Sequence, residues 1–197
     1  MAQYANLNDK DVFPSWYNLP CPSEFVHGTP IQVCFFAEIQ QCDQFLRYRT
    51  VVKDRDDKEC IVAFYPDSYD GFDFKKLKKG YTLAIMNAHQ HDFLDGSHGV
   101  RVEDVNDVCV FPAGLTALRS IGSDVAKWAA GGEAEQWKCQ WCDAVKPRGE
   151  MSRCGQCKVY AYCSKECQGN GWTEKGHKSS CKVLRDPDFM SLLKHFS

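Results

Sequence analysis

The sequence predicts an α+β protein, with a small all-β, barrel-like N-terminal domain and short helices ahead of a C-terminal module organised around metal ions. Three observations carry this prediction. Apolar and polar residues alternate with a period of two through much of residues 31–111, as in strands with one buried face. Apolar residues at helical intervals follow in residues 115–128, which predicts an amphipathic helix. Cysteine and histidine then recur in close pairs between Cys139 and Cys181, a spacing typical of zinc sites.

Residues 1–30 are predicted to form an extended N-terminal arm. Four prolines punctuate it, and each disfavours a helical conformation at the residue before it: Pro14, Pro20, Pro22 and Pro30. The arm is too apolar for a free tail, because it also carries Phe13, Trp16, Tyr17 and Leu19. We expect it to wrap the following domain and cover a sheet edge. A partner-binding segment is the alternative.

The next domain is predicted to span residues 31–130 and to contain five strand regions. Alternation and turn residues place these regions at 31–39, 46–52, 60–65, 81–88 and 100–111, the last with a bulge or turn near Asn106–Asp107. Three strands, a connector and two further strands is the order of a five-stranded barrel of the OB type. A short β-sandwich, or a meander packed on a helix, remains open at this point.

Helices are predicted on both sides of the cysteine-rich segment. One or two short helices would close the barrel, with Ser123 as an N-cap, on the stripe Leu115, Leu118, Ile121, Val125 and Trp128. Residues 131–136 would form a linker that starts at Gly131–Gly132. In residues 183–197 an amphipathic helix would begin at Asp186–Pro187 and carry the stripe Phe189, Leu192, Leu193 and Phe196.

Four pairs of potential metal ligands occupy the segment between linker and terminal helix: Cys139 and Cys142, Cys154 and Cys157, Cys163 and Cys167, and His177 and Cys181. A C-x-x-C turn places two thiolates on one side of a metal ion, and a pair four positions apart on a helix shares one face. Eight ligands imply two zinc ions, one held by four cysteines and one by three cysteines and a histidine. Spacing alone leaves sequential and interleaved pairing open.

The amino-acid sequence of this segment resembles that of a MYND-type zinc finger. The resemblance is carried by Arg153-Cys-Gly-Gln-Cys-Lys-Val-Tyr-Ala-Tyr-Cys-Ser-Lys-Glu-Cys-Gln168, by Trp172 and by His177-Lys-Ser-Ser-Cys181, within a finger of residues 137–182. It implies interleaved ligands: Cys139, Cys142, Cys163 and Cys167 for the first zinc, and Cys154, Cys157, His177 and Cys181 for the second. Both ions are expected to be structural, because eight protein ligands leave no open coordination position.

The resemblance also implies a function. MYND fingers bind short proline-containing peptides, often as an added strand, and the matching contact positions are Gln168 and Trp172. We therefore expect an adaptor that captures proline-containing segments of partner proteins. Residues 72–112 also resemble an N-terminal region of fungal MYND proteins.

Composition and motifs weigh against other classes. Residues 1–132 carry 13 basic and 18 acidic side chains, a net of −5, which counts against nucleic acid as the main partner. An alternative is single-stranded nucleic-acid binding by an OB-like barrel, on a face formed by Arg47, Arg49 and Phe36. A methyltransferase-associated enzyme is disfavoured, because the catalytic motifs of common enzyme classes are missing. Without a signal peptide or an apolar span, we expect an intracellular protein, nuclear or cytoplasmic.

Overall fold

The computed structural model describes residues 4–21, 32–44, 46–129 and 135–197, with the side chains of Trp128 and Ala129 left out. The chain divides into two compact units, one of residues 7–118 and one that joins residues 119–197 to the first residues of the chain. Pro22, Pro30 and most of the linker expected at 131–136 lie outside the described residues. No described helix is long and apolar enough to cross a membrane.

The described residues of the unit 7–118 form seven strands. In chain order they are β1 (Cys34–Gln44), β2 (Tyr48–Lys53), β3 (Glu59–Phe64), β4 (Thr82–Met86), β5 (His91–Asp92), β6 (His98–Val102) and β7 (Val108–Phe111). They form one sheet in the order β5-β6-β3-β2-β1-β4-β7. All neighbours are antiparallel except β3 and β6, which run parallel from the pair Ile61–Gly99 to the pair Phe64–Val102.

The predicted fifth strand region is two strands in the structure. A single 3-10 turn, Val105–Asp107, separates β6 from β7, at the place where the sequence predicts a bulge or turn. The two strands then join different neighbours, because β6 pairs with β3 and β7 pairs with β4. No ladder of hydrogen bonds joins the described residues of β5 to those of β7, so a closed barrel is not observed. The mixed α+β class is observed.

The core of this unit lies on one face of the sheet. Alternate residues of β1 point into it, and Phe35, Ala37 and Ile39 are each fully buried. The other face of β1 is covered as well, because Phe36 is only 4% exposed and its ring stacks on Phe13 at 5.1 Å. The alternative of a binding face formed by Phe36 with Arg47 and Arg49 is therefore wrong as to Phe36, since a buried ring has no surface to offer a ligand.

The N-terminal segment is fastened to the turn between β2 and β3. The buried carboxylate of Asp54 accepts a hydrogen bond from the Trp16 backbone N–H at 2.7 Å. Arg55 donates to the carbonyl oxygen of Asn8 at 2.8 Å and to that of Asp9 at 3.1 Å. Trp16 also belongs to the sheet core. Satisfied polar groups and a buried indole together hold the segment in place.

Helix α1 (Leu115–Ala129) is a single helix, and the expectation of an N-cap at Ser123 is wrong. The Ser123 hydroxyl instead donates to the Arg119 carbonyl oxygen at 3.1 Å, the backward bond of a residue inside a helix. The first turn is capped from far away in the sequence, because the Leu115 N–H donates to Glu38 Oε2 on β1 at 2.9 Å.

In the part of the second unit that the structure describes, short strands and three helices follow α1. The elements are β8 (Gln136–Lys138), β9 (Val145–Pro147), β10 (Ser152–Arg153), β11 (Ala161–Tyr162), α2 (Lys165–Thr173), α3 (His177–Leu184) and α4 (Pro187–His195). Strands pair as β8–β9 and β10–β11. Helix α4 starts as predicted, with Asp186 accepting from the Asp188 N–H at 3.0 Å and Phe189, Leu192 and Leu193 buried.

Candidate metal centre

Two loops of the second unit present a C-x-x-C pair with the same backbone geometry. In the first, the Asp143 N–H donates to the Cys139 carbonyl oxygen at 3.0 Å, and Asp143 is left-handed with φ 61°. In the second, the Lys158 N–H donates to the Cys154 carbonyl oxygen at 2.9 Å, and Lys158 has φ 58°. The repeated turn, closed by a strained residue, points both sulfurs of each pair the same way.

The other two ligand pairs depend on helices. Ser164 caps α2 by accepting from the Cys167 N–H at 3.0 Å, which fixes Cys167 in the first turn close to Cys163. His177 and Cys181 lie four positions apart on α3, so they share one face of the helix. Gly176, with φ 67°, supplies the left-handed residue from which α3 starts.

The structure gathers these eight residues into two groups. Within each group all ligand atoms lie within 4.8 Å of one another, and the groups are Cys139, Cys142, Cys163 and Cys167, and Cys154, Cys157, His177 and Cys181. The two sets interleave along the chain, and they are the sets that the resemblance implies. Among the described residues, no further group of three or more potential ligands is found. The first group lies near the surface, with Cys142 exposed, whereas the second is buried throughout.

The distances within each group fit a tetrahedral zinc site. Ligands about 2.3 Å from a zinc ion are separated by about 3.8 Å along the edges of the tetrahedron. The Sγ atoms of Cys142 and Cys163 are 3.6 Å apart, and those of Cys154 and Cys181 are 3.9 Å apart. Cys157 Sγ lies 3.4 Å from His177 Nε2. All twelve cysteines are free of disulfides, so the sulfurs are available as ligands.

Electrostatics within the groups also suit a dication. Burial lowers the pKa of His177 to about 4, which keeps the imidazole in the neutral form that metals bind. Burial, followed by the neighbouring Cys157 and Cys154, raises the pKa of Cys181 to about 12. A bound divalent cation would offset this crowding of sulfur charge. We conclude that the residues present fit two structural zinc ions.

Aromatic residues surround the one histidine ligand. Tyr162 Oη lies 2.6 Å from His177 Nδ1, and both side chains are buried. The Tyr160 ring meets the imidazole edge-on at 4.9 Å, and its hydroxyl donates to the Asp124 carboxylate at 2.6 Å. Neither tyrosine was assigned a role from the sequence alone. The available signal was the alternation Tyr160-Ala-Tyr162 directly before Cys163, which turns both rings toward the same side.

The two residues expected to contact a peptide lie on α2. Gln168 and Trp172 are half-buried and four positions apart, so they share a face of the helix. The Trp172 ring also packs edge-on against His177 at 5.3 Å. Trp172 therefore contacts the second metal group while part of its ring remains exposed.

Comparison with known proteins gives matches of two kinds. Residues 139–181 match the family model of the MYND finger. Over 59 residues the chain is 37% identical to human histone-lysine N-methyltransferase SMYD3, a stretch that spans 26% of this chain and 13% of that protein. The chain thus covers well under two thirds of that relative, and the matched stretch carries no evidence of catalysis.

Two solved structures share a low level of structural likeness with the chain. One is Schizosaccharomyces pombe Pot1pC bound to ssDNA, at TM-score 0.31 and 9% identity, over 40% of this chain and 76% of that chain. The other is the OB domain of MM0293 from Methanosarcina mazei, at TM-score 0.32 and 8% identity, over 47% of this chain and 81% of that chain.

Proposed function

We propose, from the premise that residues 139–181 are a MYND finger with two structural zinc ions, that this protein is an intracellular adaptor. The finger is a zinc-binding module of the protein-interaction type. In our proposal it captures short proline-containing segments of partner proteins, and the unit of residues 7–118 offers a second surface. Its zinc ions serve folding and not catalysis, because each group supplies four protein ligands and leaves no position for substrate.

The observation that carries this proposal is the shared helix face of Gln168 and Trp172. A half-exposed indole offers a flat apolar surface to a proline ring, and a neighbouring amide can hydrogen-bond the peptide backbone. The Trp172 ring rests on His177, so zinc binding would hold the indole in a fixed position. Such preorganisation lowers the entropy cost of binding a short segment.

Peptide titration of the intact chain tests the proposal. A panel of labelled peptides, each with one or two prolines flanked by varied residues, is titrated by fluorescence anisotropy. We expect at least one peptide to bind, and Trp172→Ala and Gln168→Ala each to weaken it by about tenfold or more. Glu166→Ala is the matched control, because Glu166 is exposed on the opposite side of α2.

Zinc content is measured on every variant, so that loss of the finger is distinguished from loss of a contact. Binding that survives both substitutions in zinc-loaded protein would refute the assigned groove. No binding by any member of the panel would refute proline-peptide capture.

Two further proposals concern architecture and compartment. We propose that the segment holding β6 and β7 closes the sheet into a barrel, since β6 pairs with β3 and β7 pairs with β4. The test is amide hydrogen exchange, in which we expect the backbone amides of β6 and β7 to be equally protected. We also propose a reducing compartment, because none of the twelve cysteines forms a disulfide. Cell fractionation tests the second.

A further inference from the structure

A groove in the unit of residues 7–118 has the size of a ligand site. Its volume is about 700 Å³, within the range of small-molecule pockets. The walls come from the end of β1, from β2, β3 and β6, and from β5 and the β5–β6 loop. Two leucines stand at its rim, Leu46 at 88% and Leu94 at 110% exposure. Both apolar side chains would lose contact with water if a ligand occupied the groove.

The wall of the groove is a platform of flat groups. The guanidinium carbons of Arg47 and Arg101 lie 4.2 and 4.7 Å from the centroid of the Tyr65 ring. The Tyr65 and Phe93 rings are nearly parallel, at 22° and 6.4 Å. Arg49 lies 5.8 Å from the Phe93 centroid. Aromatic rings and guanidinium planes are the surfaces on which nucleobases stack.

Of the three arginines among the described residues that line the groove, two are engaged by acidic side chains. Arg49 donates to Asp95 and to the Ser97 hydroxyl, both at 2.8 Å, and Arg101 pairs with Glu103 at 3.0 Å. Among the residues that the structure describes, Arg47 has neither a hydrogen bond nor an ion pair. It can therefore offer its N–H groups to an anion. Acidic side chains that also line the groove, Asp43, Asp92 and Asp95, oppose a partner with many negative charges.

We propose that this groove binds one nucleotide unit, with the base stacked against the Arg47 guanidinium and the Phe93 ring and one phosphate paired with Arg47, while Tyr65 supports the Arg47 guanidinium. Leu46 and Leu94 close over the edge of the base. The nucleotide can be free in solution or belong to a single strand, because both present the same base and phosphate. This site is independent of the finger and of the function proposed for it.

Binding of two probes to the full-length, zinc-loaded protein tests the inference. The probes are adenosine monophosphate, followed by calorimetry, and a labelled ten-nucleotide single strand, followed by anisotropy across a salt series. One phosphate contact predicts a slope of log K against log salt near −0.7 for the single strand. Binding of the mononucleotide identifies a free-nucleotide site, and binding of the strand alone at that shallow slope identifies a strand site.

Substitutions at the exposed positions locate the ligand. Arg47→Ala is expected to weaken binding by about tenfold or more, and Arg47→Lys nearly as much, because an ammonium group keeps the charge and loses the stacking plane. Leu94→Ala should weaken it by about threefold. The control is Lys79→Ala, which removes an exposed charge of the same unit and should leave affinity unchanged.

Three results would overturn the inference. One is that neither probe binds at millimolar concentration. Another is a slope steeper than about −2, which indicates contact with several phosphates. The third is an equal loss of binding affinity in Arg47→Ala and Lys79→Ala, or full retention of affinity in Arg47→Lys. Either result would mean that the ligand is attracted by charge alone.

Discussion

Tyr162 and His177 are joined by a 2.6 Å hydrogen bond between the phenol oxygen and Nδ1 of the imidazole. Nε2 of the same ring faces Cys157 Sγ at 3.4 Å and is the nitrogen placed to bind zinc. With zinc on Nε2, Nδ1 carries the proton, and this N–H group donates a hydrogen bond to Tyr162 Oη. The tyrosine thus sets both the tautomer and the orientation of the only histidine ligand.

Tyr162→Phe is expected to weaken zinc binding at the buried group by about ten- to a hundredfold. The substitution preserves the ring and removes only the acceptor, which leaves a buried N–H without a partner. Competition with a chromophoric chelator measures the affinity of the two sites. The first group, Cys139, Cys142, Cys163 and Cys167, should lose less zinc affinity than the buried group, because Tyr162→Phe leaves the finger folded and all eight ligands in place.

Tyr160→Phe is the control for this substitution. It also removes a buried phenol oxygen, but one that donates to Asp124 and not to the histidine. We expect a loss of unfolding free energy of about 1–3 kcal/mol with zinc affinity unchanged. An equal loss of zinc affinity in Tyr160→Phe and Tyr162→Phe would contradict an orienting role for Tyr162.

Loss of one ligand should release both zinc ions, because the two ligand sets interleave along the chain. We expect Cys157→Ser to reduce zinc from two ions per chain to fewer than one and to unfold the finger, since metal binding supplies folding energy to so small a module. Elemental analysis and circular dichroism measure the two effects. The control is Cys42→Ser, on β1 outside both groups, which should keep both zinc ions. A Cys157→Ser protein that keeps one zinc ion would argue that the two sites are independent.

Much of this architecture could be predicted from local sequence, because local physics determines it. Alternation placed β2, β3 and β4 within about two residues of their observed bounds, although β1 continues to Gln44, beyond its predicted end at residue 39. Asp186–Pro187 marked the start of α4. The paired spacing of cysteines and histidine predicted two zinc sites. These signals need only neighbours in the chain: a period of two, a cap or a C-x-x-C turn.

Features that depend on distant residues could not be predicted in this way. Alternation placed Phe36 on the outer face of β1, but Phe13 covers it. The stripe that begins at Leu115 indicated the helix, but its cap could not be predicted locally because Glu38 lies 77 positions away. The partners of Tyr162 and Arg47 likewise come from separate elements. Chemistry that is assembled by the fold leaves little pattern in the linear sequence.

Glu38→Ala should therefore destabilise the unit of residues 7–118 by about 1 kcal/mol, the usual effect of losing a helix cap. The Leu115 N–H would lose its acceptor and the first turn of α1 would fray. Urea denaturation measures the change. Glu59→Ala, at an exposed position of β3, is the control, and an equal loss in both variants would argue against capping.

Buried thiols of the sheet should resist alkylation in the native protein. Burial, and then the nearby Asp54, raises the pKa of Cys60 to about 12, so the reactive thiolate is scarce. Mass spectrometry after iodoacetamide treatment at pH 8 should find Cys21, which is exposed, modified well before Cys60. Prior denaturation in urea should abolish the difference, and rapid native labelling of Cys60 would contradict its burial.

The same shift predicts the sign of a pH effect. The folded-state pKa of Cys60 lies above that of the unfolded thiol, so its contribution to stability is complete below pH 9 and is lost as pH rises toward 12. Cys60→Ala removes this contribution. The stability difference between wild type and Cys60→Ala should therefore narrow from pH 8 to pH 10 in urea denaturation. A stability difference that stays constant between pH 8 and pH 10 would contradict a raised pKa of the Cys60 thiol.

Gly99→Ala should disrupt the parallel pairing of β3 and β6. A Cβ added at Gly99 would lie 1.9 Å from the Ile61 carbonyl oxygen, a backbone atom that cannot move without breaking the ladder. We expect a loss of at least about 3 kcal/mol in unfolding free energy, measured by urea denaturation monitored on the sheet. Gly149→Ala, where an added Cβ meets nothing within 4 Å, should change stability by less than about 0.5 kcal/mol. A Gly99→Ala protein as stable as wild type would show that β6 is not held this closely against β3, and the groove whose wall includes Arg101 of β6 would then lose its geometry.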